Sequence, residues 1–136
     1  MKGFGEISNS RKKNKTDVSN KRDYNKILNE AIKYHYEGNI IQASKIYRYL
    51  IEKGFKNSTA FTNYGLILVH SNNYNDAEII IRKAIELNPK DSIAHSNLGG
   101  ILKDLGKLEE AEIVTRKAVE LNPKDSIAHS NLGGIL

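Results

Sequence analysis

The chain has no cysteine. Disulfides, zinc–thiolate sites and thiol catalysis are therefore excluded, and the composition fits a reducing compartment. It has no tryptophan and only two prolines, so long stretches are free of helix breakers. No apolar run approaches the roughly 20 residues needed to cross a bilayer. The opening stretch, MKGFGEISNSRKKNK, lacks the apolar core of a signal peptide. A cytoplasmic location is the expectation. The hydrophobic fraction, 39 %, is modest but sufficient for amphipathic helices.

The net charge of +5 is unevenly placed. Residues 1–23 hold seven Lys/Arg against three Asp/Glu, a net of +4. Residues 24–136 hold 14 against 13, a net of +1. The basicity belongs to a leader that is expected to be disordered and solvated. Its run Arg11-Lys12-Lys13-Asn14-Lys15 has no interleaved aromatics and is too short to specify nucleic acid.

What is present is a duplication. Glu86–Leu102 reads ELNPKDSIAHSNLGGIL, and Glu120–Leu136 reads the same, 34 positions later. A fixed period of this length marks an array built from one helical unit. The register gives unit one as residues 24–57, unit two as 58–91 and unit three as 92–125, with an incomplete unit four over 126–136. Each full unit reads as two helices, with apolar residues recurring at i, i+3, i+4 and i+7. First helices are expected over 24–37, 58–71, 92–105 and 126–136, and second helices over 40–53, 74–87 and 108–121. Gly38, Asn72-Asn73 and Gly106 break each unit in the middle. Asn-Pro at Pro89 and Pro123 ends the second helix, and Asp91 and Ser92 are suitable N-caps.

This pattern resembles the tetratricopeptide repeat, a helix–turn–helix of 34 residues. The small residue at family position eight is Ala31, Gly65, Gly99 and Gly133; the alanine at position twenty is Ala43, Ala77 and Ala111. Position thirty-two is proline at Pro89 and Pro123 but Phe55 in unit one, which is the divergent unit. The resemblance implies an all-α, right-handed superhelical solenoid that is cut off within its fourth repeat, with first helices lining a concave groove.

One column in that groove carries the functional expectation. Asn29, Asn63, Asn97 and Asn131 occupy the sixth place of every unit. An amide repeated at one helical phase can pair with the backbone of an extended peptide regardless of its sequence. The column resembles the asparagine ladder of O-linked GlcNAc transferase-type arrays. Thr62, Ser96 and Lys103 are further peptide-binding candidates. Gly100, a glycine inside a helix, is expected to leave room for a ligand backbone. The lysine and asparagine with which some arrays clamp chaperone carboxylates are replaced at family positions five and nine, by Leu28 and Ile32 in unit one and by Thr62, Ser96 and Ser130 at position five elsewhere.

No catalytic, metal or cofactor site is expected. His95 and His129 recur with the repeat and have no acidic or histidine partner at i+3 or i+4, so they read as structural. Gly99-Gly100 and Gly133-Gly134 lack phosphate-loop spacing. The expected function is a protein-interaction scaffold that holds an extended peptide or partner protein and is not an enzyme. One alternative is the substrate-recruiting arm of a larger bacterial transferase (glycosyltransferase, sulfotransferase or methyltransferase). The other is contact of the leader with nucleic acid or an anionic membrane. The helix over 126–136 exposes Ile127, Leu132, Ile135 and Leu136 without a second helix to cover them, so continuation of the array or self-association there is expected.

Overall fold

The computed structural model describes residues 23–136; apart from Asp23, the basic leader lies outside the described residues. Among the described residues there are seven helices and no strand. They are α1 (residues 23–36), α2 (Ile40–Glu52), α3 (Ser58–His70), α4 (Tyr74–Leu87), α5 (Ser92–Asp104), α6 (Leu108–Leu121) and α7 (Ser126–Ile135). Each falls within about two residues of its expected span. The residues divide into two compact units, one ending at Phe55 and one running from Lys56 to Leu136.

The turn inside each helical pair has one backbone solution. Gly38, Asn72 and Gly106 all have φ between 60° and 81°, the left-handed conformation that ends a helix. The following amide then reaches back to the last turn: Asn39 to Tyr34, Asn73 to Leu68 and Lys107 to Leu102, each at 2.8 Å. Asparagine tolerates this conformation better than other side-chain-bearing residues, which is why it replaces glycine at residue 72. First helices start on side-chain caps. Asp91 accepts from Ile93 N and Ala94 N, and Asp125 accepts from Ile127 N and Ala128 N.

In the first unit, Leu28, Ala31, Ala43, Tyr47 and Leu50 are buried. Tyr47 lies edge-on to His35, and Tyr24 packs on Phe55 with centroids 5.5 Å apart.

In the second unit the helices stack as an α-solenoid. Each first helix packs on its second helix, and each second helix packs on the next first helix. The first helices also touch one another, α3 against α5 and α5 against α7. The core is Ala77, Ile81, Leu98, Ile101, Leu102 and Ala111. Helix crossings are close because one side lacks bulk. A Cβ on Gly65 would collide with the Ile81 side chain, and one on Gly99 with Thr115 Oγ1. Ala77 and Ala111 have no exposed surface. Gly133, at the equivalent place in α7, meets nothing within 4 Å. On α7, Ile135 packs against the core, whereas Ile127 and Leu136 are exposed.

Candidate functional site

The asparagine column of the second unit lies on neighbouring first helices: Asn63 on α3, Asn97 on α5 and Asn131 on α7. All three are half-buried. Asn29, on α1 of the first unit, is exposed. The amides are not simply presented to solvent. Asn131 Nδ2 donates to the Ser96 carbonyl across 3.1 Å, joining α7 to α5. Asn97 Nδ2 is also turned inward but has no acceptor within the protein.

This arrangement supplies a reason for Gly100. The Asn131 amide lies over it, and a Cβ there would stand 3.3 Å from Nδ2. Ser96 is four residues before Gly100, so its carbonyl also belongs to the α5 ladder. Glycine lets the amide reach that carbonyl from the side. The room expected for a ligand backbone is thus occupied by Asn131.

Thr62 and Ser96, placed on the groove by their phase, sit beneath its surface at 5 % and 2 % exposure. Neither hydroxyl has a hydrogen-bond partner within the protein. With Asn97 Nδ2 they put three enclosed, unpaired polar atoms under the first helices. An unmet group of this kind costs about 1–3 kcal/mol. Beside Ser96 and Asn97 is an open cleft of about 300 Å³, lined also by Ile93, Asn122, Lys124, Asp125, Ser126 and Ile127. Asn122 and Lys124 were not singled out from sequence. Their signal is the Asn-Pro-Lys-Asp loop, which recurs at 88–91 and 122–125. Lys103 is half-buried, with Nζ 3.3 Å from where a Cβ on Gly134 would lie.

The second helices carry a charged network. Lys107 Nζ donates to Glu78 at 2.9 Å, Arg82 donates to Glu78 at 3.0 Å, and Arg82 also donates to Glu110 on α6. Burial raises the pKa of Glu78, but the bonds and charges of Lys107 and Arg82 outweigh it, so the carboxyl titrates below its ordinary value. Arg82 is shifted up: its burial is outweighed by Glu110 and Glu78. His95 and His129 are bound to the repeat loops. His95 Nε2 donates to the Pro89 carbonyl at 2.9 Å, and His129 Nε2 to the Pro123 carbonyl at 2.8 Å. A carbonyl can only accept, so Nε2 carries the proton in both. Among the described residues no three His, Cys, Asp or Glu converge as metal ligands, and no helix is long and apolar enough to cross a membrane.

A stack of helical pairs with small residues at every crossing defines an α-solenoid repeat protein. Tetratricopeptide-repeat family profiles match residues 58–91 and 80–113, so that stretch is built of tetratricopeptide repeats. No curated protein matches it in sequence. It is similar to the first such domain of Spaghetti (RPAP3) bound to the HSP90 peptide SRMEEVD, with 25 % identity, a TM-score of 0.76 and coverage of 82 % of this chain and 89 % of that one. It is similar to the Thermobaculum terrenum O-GlcNAc transferase, with 27 % identity and a TM-score of 0.76, over 83 % of this chain and 22 % of that one. It is also similar to YrrB, described as having an unusual peptide-binding site, with 25 % identity, a TM-score of 0.71 and coverage of 77 % and 54 %.

Proposed function

We propose that the chain is a protein-interaction scaffold and that the first-helix groove of residues 56–136 holds an extended peptide. The observation that carries this reading is the column of Asn63, Asn97 and Asn131 on neighbouring first helices, with an open cleft at Ser96 and Asn97. An amide repeated at one helical phase supports a ligand whose backbone it can pair with. The bound peptides in similar structures, SRMEEVD on Spaghetti and SGPTIEEVD on human RPAP3, support the same class of partner. Asn63, Asn97 and Asn131 make the backbone contacts. Thr62 and Ser96 act from below, and Lys103 flanks the groove. Asn29 extends the same column by sequence in the first unit. No catalytic role is assigned, because His95 and His129 both serve the loop carbonyls.

A heptapeptide array tests the reading. The wild-type protein should retain a subset of peptides, and the variant Asn63→Ala/Asn97→Ala/Asn131→Ala should bind them about 10- to 1000-fold more weakly, since each backbone bond is worth about 0.5–1.5 kcal/mol. The loss should be similar across unrelated peptides, with helical circular dichroism retained. Equal binding by the folded triple variant would refute it.

A second reading is favoured by the similarity to the Thermobaculum terrenum transferase. In it the groove recruits substrates for a transferase. Co-purification of a transferase activity with the chain distinguishes it from a free-standing scaffold.

A further inference from the structure

The second helices of the three repeats differ in charge. Taken with their C-terminal ends at equivalent positions, residues 40–53 hold three Lys/Arg against one Asp/Glu, residues 74–87 hold two against three, and residues 108–121 hold two against four. Arginine stands at the same place in every repeat, at Arg48, Arg82 and Arg116. Glu78 and Glu112 lie four residues before Arg82 and Arg116 and bind them at 3.0 and 2.9 Å. The corresponding residue before Arg48 is Ser44, and Arg48 makes no ion pair. Lys45 stands where the other repeats have Ile79 and Ile113, and Lys53 where they have Leu87 and Leu121.

These cations share one face. Lys45, Arg48, Tyr49 and Lys53 fall at i, i+3, i+4 and i+8 of α2 and its C-cap, and all four are exposed. Tyr49 lies among the charges, with Lys53 Nζ 5.7 Å from its ring centroid. At its place the other repeats carry Lys83 and Lys117. Charge is segregated along the whole sequence in the same sense. Residues 1–55 hold 12 Lys/Arg against six Asp/Glu, and residues 56–136 hold nine against ten.

Exposed cations without carboxylates attract a polyanion, and a ring set between them offers a stacking platform for an unpaired base. An anionic membrane fits this face less well. Tyr47 and Leu50 of α2 are wholly buried, so its apolar side cannot enter a bilayer.

We propose that the outer face of α2 binds single-stranded nucleic acid, with Lys45, Arg48 and Lys53 on phosphates and Tyr49 stacked on a base. The proposal is independent of the peptide-groove reading, because α2 is a second helix and belongs to the first compact unit.

The test titrates the full chain into fluorescein-labelled oligo(dT), and into its duplex with oligo(dA), and reads fluorescence polarisation across a range of salt. The single strand should bind more tightly than the duplex. Lys45→Gln/Arg48→Gln/Lys53→Gln should weaken binding at least about 10-fold and lower the slope of log affinity against log salt by about 2, at about 0.7 for each phosphate contact on a single strand. Tyr49→Ala should weaken binding about 5- to 100-fold with the slope unchanged, and Tyr49→Phe should restore it. Ser44→Glu, which gives Arg48 the carboxylate of the other repeats, should also weaken binding. The altered lysines, arginine and tyrosine are exposed, so the melting temperature should stay within a few degrees of wild type. Wild-type affinity in the triple glutamine variant would assign binding to the leader and overturn the proposal. Equal affinity for duplex and single strand would overturn it too, as would Tyr49→Ala binding as tightly as wild type. Binding to phosphatidylserine vesicles but to neither oligonucleotide, or to none of the three, would also overturn it.

Discussion

Gly99 and Thr115 meet so closely that a Cβ on the glycine would overlap the threonine Oγ1. The same sequence recurs on α7, where Gly133 faces nothing within 4 Å. One residue type therefore occupies two environments that differ only in whether a second helix is packed there. Alanine gains about 1 kcal/mol over glycine in a helix, and overpacking costs about 1–3 kcal/mol. Gly99→Ala should lower the melting temperature and Gly133→Ala should leave it unchanged or raise it. The reverse order would show that the crossing at Gly99 is not tight.

Ala77 and Ala111 test the other side of the crossings. Both are fully buried. Replacing either with leucine should destabilise the fold by about 1–3 kcal/mol. Unchanged urea midpoints for both variants would contradict the packing.

Glu78 makes stability pH-dependent. Its carboxyl is 13 % exposed and titrates below the ordinary value of 4.5. A depressed carboxylate stabilises the fold fully above its unfolded-state pKa, and the contribution is lost as pH falls through the lower folded-state value. Lys107 and Arg82 are about half exposed, so screening limits the contribution to about 1 kcal/mol. Wild type should exceed Glu78→Gln in melting temperature at pH 7, and the gap should close as pH falls well below 4.5. A gap that does not change with pH would rule out the ionised carboxylate as its source.

Gly100 and Asn131 should be coupled. Gly100→Ala alone gains helix propensity but presses on Asn131 Nδ2, so the net change should be near zero. In an Asn131→Ala background the same substitution should stabilise by about 1 kcal/mol. A double-mutant cycle that closes with no coupling would mean the amide does not depend on the glycine.

The fold was legible because its punctuation is local. Gly38, Asn72 and Gly106 end helices through their own backbone conformation, and Asp91 and Asp125 cap the next helix within three residues. The 34-residue period then set which helices are neighbours. The site was legible only as a direction. Helical phase placed Thr62, Ser96 and Asn97 toward the groove, but phase does not report depth. Depth was decided by the packing of the stack, which leaves Thr62 and Ser96 at 5 % and 2 % exposure. The Asn131 bond to the Ser96 carbonyl, and the joining of Glu78 to Lys107, likewise link residues 35 and 29 positions apart. By itself the sequence determined the repeat, the small residues at its crossings and the loop residues that end each helix, because those act through backbone conformation and short-range spacing. Only the tertiary structure decided which amides are used inside the stack, because that outcome depends on groups meeting across separate helices.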